Sequence, residues 1–311
     1  MNWKHIGTTL RNGINLLLVA LLVNSCGNND TTEGPTDTLD SGTIHISVDE
    51  SFKPVIDSQI RVFESSHPGA KIIAHYKPEA DCLRDFLVDS IRLVVATRGF
   101  TPNEETVMSD SLKVDPSKRI MAYDAVAVIV HPQASDSMFT MTEIKDLLTG
   151  KAFADKVPVF DGLKATSTVR FIIDSVLRGG SLSPRVVAAE SSEGVVDYVA
   201  RTPNAVGFIG ISWIGNREDS TQLTFLQKVK VAHLESTDRP GGFVQPVQAN
   251  IYYRRYPMVR DLVYNLKERH RGLGRGFANF MLSERGQLIF RRAYLMPAFL
   301  TFTIRDANLT E

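Results

Sequence analysis

The stretch TIHISVDESFKPVIDSQIRVF, residues 43–63, indicates the fold class because it joins a strand pattern directly to a helix pattern. Residues 43–48 alternate β-branched and polar side chains, as a strand with one buried face does. From Phe52 to Phe63 apolar side chains recur at spacings of three and four, which is typical of an amphipathic helix. Ser51 stands between the two patterns, and we expect its hydroxyl to cap the helix.

The same alternation continues beyond this stretch. Residues 71–76 and 91–96 are predicted strands, and residues 79–90 between them are a predicted helix. The order strand-helix-strand-helix-strand favours an open α/β sheet. Ligands of such sheets bind at the carboxyl ends of the strands, where Thr97 and Arg98 follow the third strand.

A second α/β block follows, and the last third of the chain reads as mainly helical. A capping-box pattern at Thr140 and a glycine at Gly150 delimit one helix of this second block. The patterns predict strands over 122–130, 157–160 and 205–209, and helices over 143–149, 193–200 and 276–292.

Composition excludes several classes of protein. The 311 residues carry 35 basic and 35 acidic side chains, and 43% of them are hydrophobic. A disordered chain has fewer apolar residues, and a nucleic-acid-binding protein of this size has surplus Lys and Arg. Two cysteines exclude a disulfide-rich scaffold. The first 41 residues hold two bases and four acids, which leaves 33 basic and 31 acidic side chains from Gly42 onward.

The amino terminus has the layout of a bacterial export signal. Basic residues precede the apolar run 14–23, which is shorter than the roughly 20 residues that span a bilayer. The run ends in VNSC, a lipobox-like motif in which Cys26 would be lipidated. We therefore expect residues 1–25 to be a lipoprotein signal peptide and 26–41 a flexible tether. The alternative is an ordinary buried apolar segment with a chance cysteine.

Motifs for catalysis are absent from the sequence. It has no HExxH metal spacing, no GxSxG nucleophile elbow and no GxxxxGK[ST] phosphate loop. We therefore expect no enzymatic activity, no metal and no cofactor.

Hydroxyl side chains instead recur where a strand meets a helix. Thr166, Ser167 and Thr168 open a predicted helix, and Arg170 follows within its first turn. The amino terminus of a helix offers unpaired N–H groups, which together with hydroxyls and an arginine fork bind an oxyanion. The alternative is that Ser51 and Thr166 act only as helix caps.

Five segments in this order resemble one known family. They are AYDAVAVIVHP (122–132), MTEIKDLLTGK (141–151), ATSTVRF (165–171), NAVGFIG (204–210) and LSERGQLIFRRAYLMP (282–297). They resemble the periplasmic phosphate-binding proteins of the PstS type, the substrate-binding subunits of phosphate ABC importers. The resemblance extends over about residues 42–300.

The resemblance implies a type II periplasmic binding protein, in which two α/β lobes enclose a ligand cleft. Lobe one would comprise 42–124 and 248–311, and lobe two 125–247. It further implies a monomer that captures inorganic phosphate and delivers it to a membrane permease with a separate ATPase. Another oxyanion (sulfate, molybdate or a phosphonate), a sensor without a role in transport, and a lipid-anchored phosphoesterase remain the alternatives.

The resemblance also implies where the phosphate binds. Thr166, Ser167 and Thr168 stand where the family has a Ser-Gly-Thr motif, Ser51 matches a hydroxyl after the first strand, and Thr97 with Arg98 match a pair after the third. Arg170 joins this set by its position in the helix. The family uses an acidic side chain to accept the proton of monohydrogen phosphate. Here the candidates are Asp49, Glu50, Glu79, Asp124 and Asp161.

Overall fold

The computed structural model describes residues 37–299 except 114, 163, 217 and 269. The predicted signal peptide, Cys26 and most of the predicted tether lie outside the described residues. Within that described part of the chain, no helix is both long and apolar enough to cross a membrane.

Strands occur along the whole described chain, and the longest has 14 residues. They are β1 (Gly42–Asp49), β2 (Ala70–Lys77), β3 (Ile91–Ala96), β4 (Ser117–Val130), β5 (Met138–Phe139), β6 (Val157–Phe160), β7 (Val187–Ala188), β8 (Ala205–Gly210), β9 (Lys230–Val231), β10 (His233–Glu235), β11 (Phe243–Val244), β12 (Val259–Leu266) and β13 (Met296–Pro297).

Helices connect most of these strands. They are α1 (Lys53–Ser66), α2 (Glu79–Asp85), α3 (Pro102–Leu112), α4 (Met141–Thr149), α5 (Ser167–Phe171), α6 (Ser192–Arg201), α7 (Ser220–Lys228), α8 (Gln248–Tyr252), α9 (Leu273–Leu282) and α10 (Glu284–Arg292). A π-helical turn over Ile172–Val176 continues α5.

Two parallel halves of one sheet are joined by antiparallel strands at its centre. The main path runs β2-β1-β3-β12-β4-β8-β6-β7, and β1 is parallel to both of its neighbours. The first part of β4 pairs with β12, and from Val126 onward β4 pairs with β8. The predicted α/β class is thereby confirmed.

Two large groups of buried apolar side chains meet along β4. One contains β4 from Ala125 onward, together with residues of α4, α5 and α6. The other contains Ala122 with residues of β1, α1, α9 and α10. Ile251 and Tyr256 pack in the first group. The predicted lobe limits, 42–124 with 248–311 and 125–247, stay a prediction.

Three predicted elements differ from the structure. The last third of the chain contains β12, a strand buried between β3 and β4. The predicted helix 276–292 is two helices, because Ser283 has extended backbone and its side chain caps the second one. The predicted helix 79–90 ends at Asp85, since the chain turns there before it enters β3.

Candidate functional site

A buried cluster of hydroxyl groups lies where β1 and α5 meet. Ser51 follows the carboxyl end of β1, and Ser167 and Thr168 are the first residues of α5. The Oγ atoms of Ser51 and Ser167 lie 3.2 Å apart, although 116 residues separate them in sequence. All three side chains are fully buried. The fold thus brings these predicted site residues together.

Arg260 of β12 lies in the same cluster, and the sequence analysis did not identify it. Its Nη1 donates to Ser167 Oγ at 3.0 Å and to Thr168 Oγ1 at 3.4 Å. Its Nε donates to Asp124 Oδ2 at 2.8 Å, and Asp124 is its partner in the β4–β12 register. The two side chains are 2% and 0% exposed, so the ion pair is removed from solvent.

A glycine leaves room for this arginine. A Cβ atom at Gly210, on β8, would lie 3.2 Å from Arg260 Nη2 and 3.3 Å from Asp124 Oδ2. Both distances are tighter than ordinary van der Waals contact, so a side chain at this position would press on the ion pair.

Two further acids border the cluster: Asp161 accepts from the Thr168 hydroxyl at 3.5 Å, and Asp49 accepts from the N–H of Ser51 at 3.2 Å. Several polar atoms of the cluster and of these acids have no partner among the described residues. They are Nη2 of Arg260, Oδ2 of Asp49, Oδ1 of Asp124 and Oδ1 of Asp161. Buried polar atoms in proteins are nearly always hydrogen-bonded, to protein, water or ligand. A free donor and free acceptors in one buried cluster therefore suit a ligand that both accepts and donates hydrogen bonds.

Burial changes the acidity of the carboxyl groups here. It raises the pKa of Asp49 to about 7, and the negative charge of Glu79 adds to the effect. Burial also raises the pKa of Asp124 and of Asp161. An ionised carboxyl only accepts hydrogen bonds, whereas a protonated one also donates. No group of three or more His, Cys, Asp or Glu in the described chain is arranged to hold a metal ion.

Thr97 and Arg170 meet in a neighbouring cluster, around Glu79. The N–H of Thr97 donates to Glu79 Oε1 at 2.8 Å, and the Thr97 hydroxyl donates to the same oxygen. Arg170 donates through Nε to Glu79 Oε2, and through Nη1 to Asp174. Burial alone would raise the pKa of Glu79, but the bonds from Arg170 and Thr97 outweigh it and lower the pKa.

Arg98 lies beside the Glu79 cluster but binds a different acid. It forms a two-pronged ion pair with Glu104, which belongs to the capping box that Thr101 opens on α3. The hydrogen bonds from Arg98 lower the pKa of Glu104 to about 2.

The two predicted helix caps have different outcomes. Thr166 caps α5, because its Oγ1 accepts from the N–H of Val169 at 3.3 Å. The predicted cap at Ser51 is wrong. A short 3₁₀ turn over Glu50–Phe52 precedes α1, and it is Asp49 that caps this turn by accepting from the N–H of Ser51. The Ser51 hydroxyl is therefore directed to Ser167 and not to the start of α1.

The signal that would have revealed Arg260 is its place in a strand. Residues 259–266, VRDLVYNL, include this arginine among apolar side chains, and a buried arginine needs a carboxylate partner. The partner, Asp124, lies on a strand that is distant in sequence, so the pair cannot be predicted without knowing that β4 and β12 are neighbours in the sheet.

Comparison with known proteins identifies the family. Residues 33–285 match the model of the PBP superfamily domain. No curated protein sequence matches the chain.

Solved structures share the fold at low sequence identity. A protein of Clostridium perfringens, described as a phosphate ABC transporter substrate-binding protein with bound phosphate, is 20% identical, with a TM-score of 0.69 over 83% of this chain and 100% of that one. An ABC-type phosphate transport receptor of Vibrio cholerae is 15% identical, with a TM-score of 0.61 over 82% and 100%. A substrate-binding domain of a molybdenum ABC transporter of Clostridium difficile is 15% identical, with a TM-score of 0.50 over 83% and 99%.

The match to the family model covers most of the chain, and the TM-score of 0.69 shows that the Clostridium perfringens structure shares its fold. The chain therefore belongs to the PBP superfamily and has the α/β fold of the type II periplasmic binding proteins.

Proposed function

We propose that the chain is the substrate-binding protein of an ABC importer and that it captures inorganic phosphate in the buried cluster around Arg260. The observation that carries the proposal is the guanidinium group of Arg260, which is buried, held by Asp124, and has its Nη2 unpartnered among the described residues. The hydroxyls of Ser167 and Thr168 lie beside it. A buried arginine fork with adjacent hydroxyls is a donor set for a tetrahedral oxyanion.

The carboxyl groups of the cluster favour an anion that carries a proton. Asp49 has an unpartnered Oδ2 and a pKa raised by burial to about 7. When it is ionised, it accepts the hydrogen bond of monohydrogen phosphate, which a sulfate dianion cannot donate. Among the other candidate acceptors, Glu50 and Glu79 already accept hydrogen bonds with both carboxylate oxygens, and Asp124 is paired with Arg260. We choose Asp49 over Asp161 because a pKa of about 7 leaves it ionised at pH 8.

The predicted site residues divide into two sets in this proposal. Ser51, Ser167 and Thr168 contact the anion, and Thr166 orients Ser167 and Thr168 by capping α5. Thr97, Arg98 and Arg170 were predicted to contact the anion as well, but they already bind Glu79 or Glu104, so the proposal places them on the anion only when these acids release them.

The surrounding biology is proposed as well. The protein would be exported, anchored by a lipid on Cys26 and monomeric. It would close its two lobes around the anion and pass it to a permease that a separate ATPase drives. It would have no enzymatic activity and would need no cofactor.

Titration calorimetry against phosphate and sulfate tests the proposal. We expect one phosphate per chain and at least tenfold weaker sulfate binding at pH 8, where Asp49 is ionised. Thr168→Val should reduce phosphate affinity, and Thr224→Val, on the exposed face of α7, should not. The absence of phosphate binding, or equal binding of both anions at pH 8, would contradict the proposal.

A second oxyanion remains the competing candidate. The molybdenum transporter domain has a TM-score of 0.50 with this chain, which supports the shared fold and not a shared ligand. Molybdate and a phosphonate in the same titration would identify it, because the true ligand should bind more tightly than phosphate.

A further inference from the structure

Thr97 and Arg170 form a second set of anion donors, and a side chain of the protein already occupies it. The set consists of the N–H and hydroxyl of Thr97 and the guanidinium group of Arg170. Both donors of Thr97 and Nε of Arg170 bind the carboxylate of Glu79, while Nη2 of Arg170 donates mainly to the Thr97 hydroxyl and Nη1 donates to Asp174. The side chain of Glu79 is only 2% exposed. A backbone N–H, a hydroxyl and an arginine fork are the groups that bind an external oxyanion elsewhere in proteins.

The Glu79 contacts also join α2 to α5. Glu79 is the first residue of α2, whose apolar residues pack against β3 in a smaller buried group, and Arg170 lies in α5, whose apolar residues pack in the group that contains Ala125. A backbone hydrogen bond from Ala80 to Ala165, 3.0 Å long, lies next to this ion pair.

A surface pocket lies beside the Glu79 cluster. A pocket of about 320 Å³ is lined by Glu79 and Arg170 together with Arg98 and Lys164. Asp174 is the other acid in its lining. Without the charge of Glu79 the lining would hold three cations and one acid, which favours an anion.

We propose that the carboxylate of Glu79 is a built-in competitor of the anion: it occupies the donors of Thr97 and Arg170 and keeps them from the ligand. The proposal rests on the function proposed above, since it concerns the same anion. In the native protein the ligand is held by the cluster around Arg260 alone. When Glu79 loses its charge, Thr97 and Arg170 become additional donors for the ligand.

Glu79→Gln tests the competition because Gln keeps the shape of the side chain and removes its charge. Phosphate and sulfate are titrated by calorimetry into the native protein and the variant. We expect both anions to bind at least tenfold more tightly to the variant. Glu104→Gln is the matched control, because Glu104 also pairs with an arginine at the edge of the same pocket, and it should change either affinity less than twofold.

Thr97→Val adds a second test, and the single variant can be measured even if the Gln variant does not fold. In the native protein this change should alter phosphate affinity less than twofold, because Thr97 is bound to Glu79. Combined with Glu79→Gln it should reverse most of the gain. Non-additivity of this kind shows that the two side chains act on the same ligand.

Three outcomes would overturn the proposal. One is an unchanged affinity in Glu79→Gln. Another is a weaker affinity for phosphate alone, which would make Glu79 the acceptor of the phosphate proton. The third is a tenfold loss in Thr97→Val alone, which would place Thr97 on the anion. A native protein that binds no phosphate would refute the proposed function, while a gain of sulfate binding in Glu79→Gln would still support the role of Glu79.

Discussion

At the scale of single residues, the ion pair of Arg260 and Asp124 is the most deeply buried one among the described residues. Both groups are removed from water, so each depends on the other to offset its lost hydration. The guanidinium group of Arg260 lies over the ring of Phe52, with its central carbon 5.3 Å from the ring centre. A charge held in this way keeps its orientation without a ligand.

Arg260→Met should lower the free energy of unfolding by roughly 3–5 kcal/mol, because it leaves the carboxyl of Asp124 buried without its partner. Adding Asp124→Asn should recover part of the loss. The control is Arg254→Met, which removes an exposed arginine 3.7 Å from Asp261 and should cost less than about 1 kcal/mol. Urea denaturation measures all three. Equal costs for Arg260→Met and Arg254→Met would show that burial of the pair does not matter.

The carboxyl of Asp49 should make stability depend on pH. Its pKa in the folded protein is raised to about 7, above the value of about 3.9 for a free aspartate, so the folded state holds this proton more tightly than the unfolded state. The resulting stability is present below pH 4 and is lost as the pH rises through 7. Asp49→Asn should therefore lose less stability between pH 5 and 8 than the native protein.

Thermal melts without phosphate check this expectation. The control is Asp110→Asn, on the exposed side of α3, whose melting temperature should change with pH as that of the native protein does. If Asp49→Asn loses as much stability between pH 5 and 8 as the native protein does, the pH dependence comes from Asp124 or Asp161, whose pKa values burial also raises.

At the scale of helices and strands, two threonine caps allow stability and binding to be separated. Thr140 opens α4 with a capping box, and Thr166 opens α5 beside the proposed site. Each Thr→Ala change should cost about 1 kcal/mol of stability, because one N–H of the first turn loses its acceptor. Only Thr166→Ala should also weaken phosphate binding, measured by calorimetry. If both changes weaken it equally, α5 has no special role in binding.

The elements that the sequence predicts well are those whose signal is local. Residues 43–96 alternate between the two-residue period of a strand and the three-to-four-residue spacing of a helix, and each predicted strand there agrees with the structure to within a residue or two. β12 was missed because it is buried between two strands and lacks the polar alternation of a strand with one exposed face. The site residues likewise differ in how local their signal is. Ser167 and Thr168 stand at a recognisable helix start, whereas the contact of Arg260 with them depends on the order of the strands in the sheet.

At the scale of the whole molecule, the central strands tie the two buried groups together. β4 contributes side chains to both, and β12 pairs with it along eight residues. If the strands around one buried group unfold, β4 is disturbed, and β4 also belongs to the other group. The molecule should therefore unfold as one cooperative unit.

Differential scanning calorimetry tests this expectation, and one transition should appear both with and without phosphate. Phosphate should raise its midpoint, because a ligand that binds only the folded state stabilises it. Two resolved transitions, of which only one responds to phosphate, would show that the buried groups unfold independently.

The point at which β4 changes partners, between Ala125 and Val126, lies next to Asp124. If the two buried groups rotate relative to each other when the proposed anion binds, we expect the hinge at this point, and atoms close to a hinge move least. Ser167 is in α5, which packs in one group, and Ser51 follows β1, which packs in the other, so their hydroxyls would separate when the groups rotate apart. The guanidinium group of Arg260 would move little. An incoming anion would then meet a positive charge that is already oriented, and the hydroxyls would close around it afterwards.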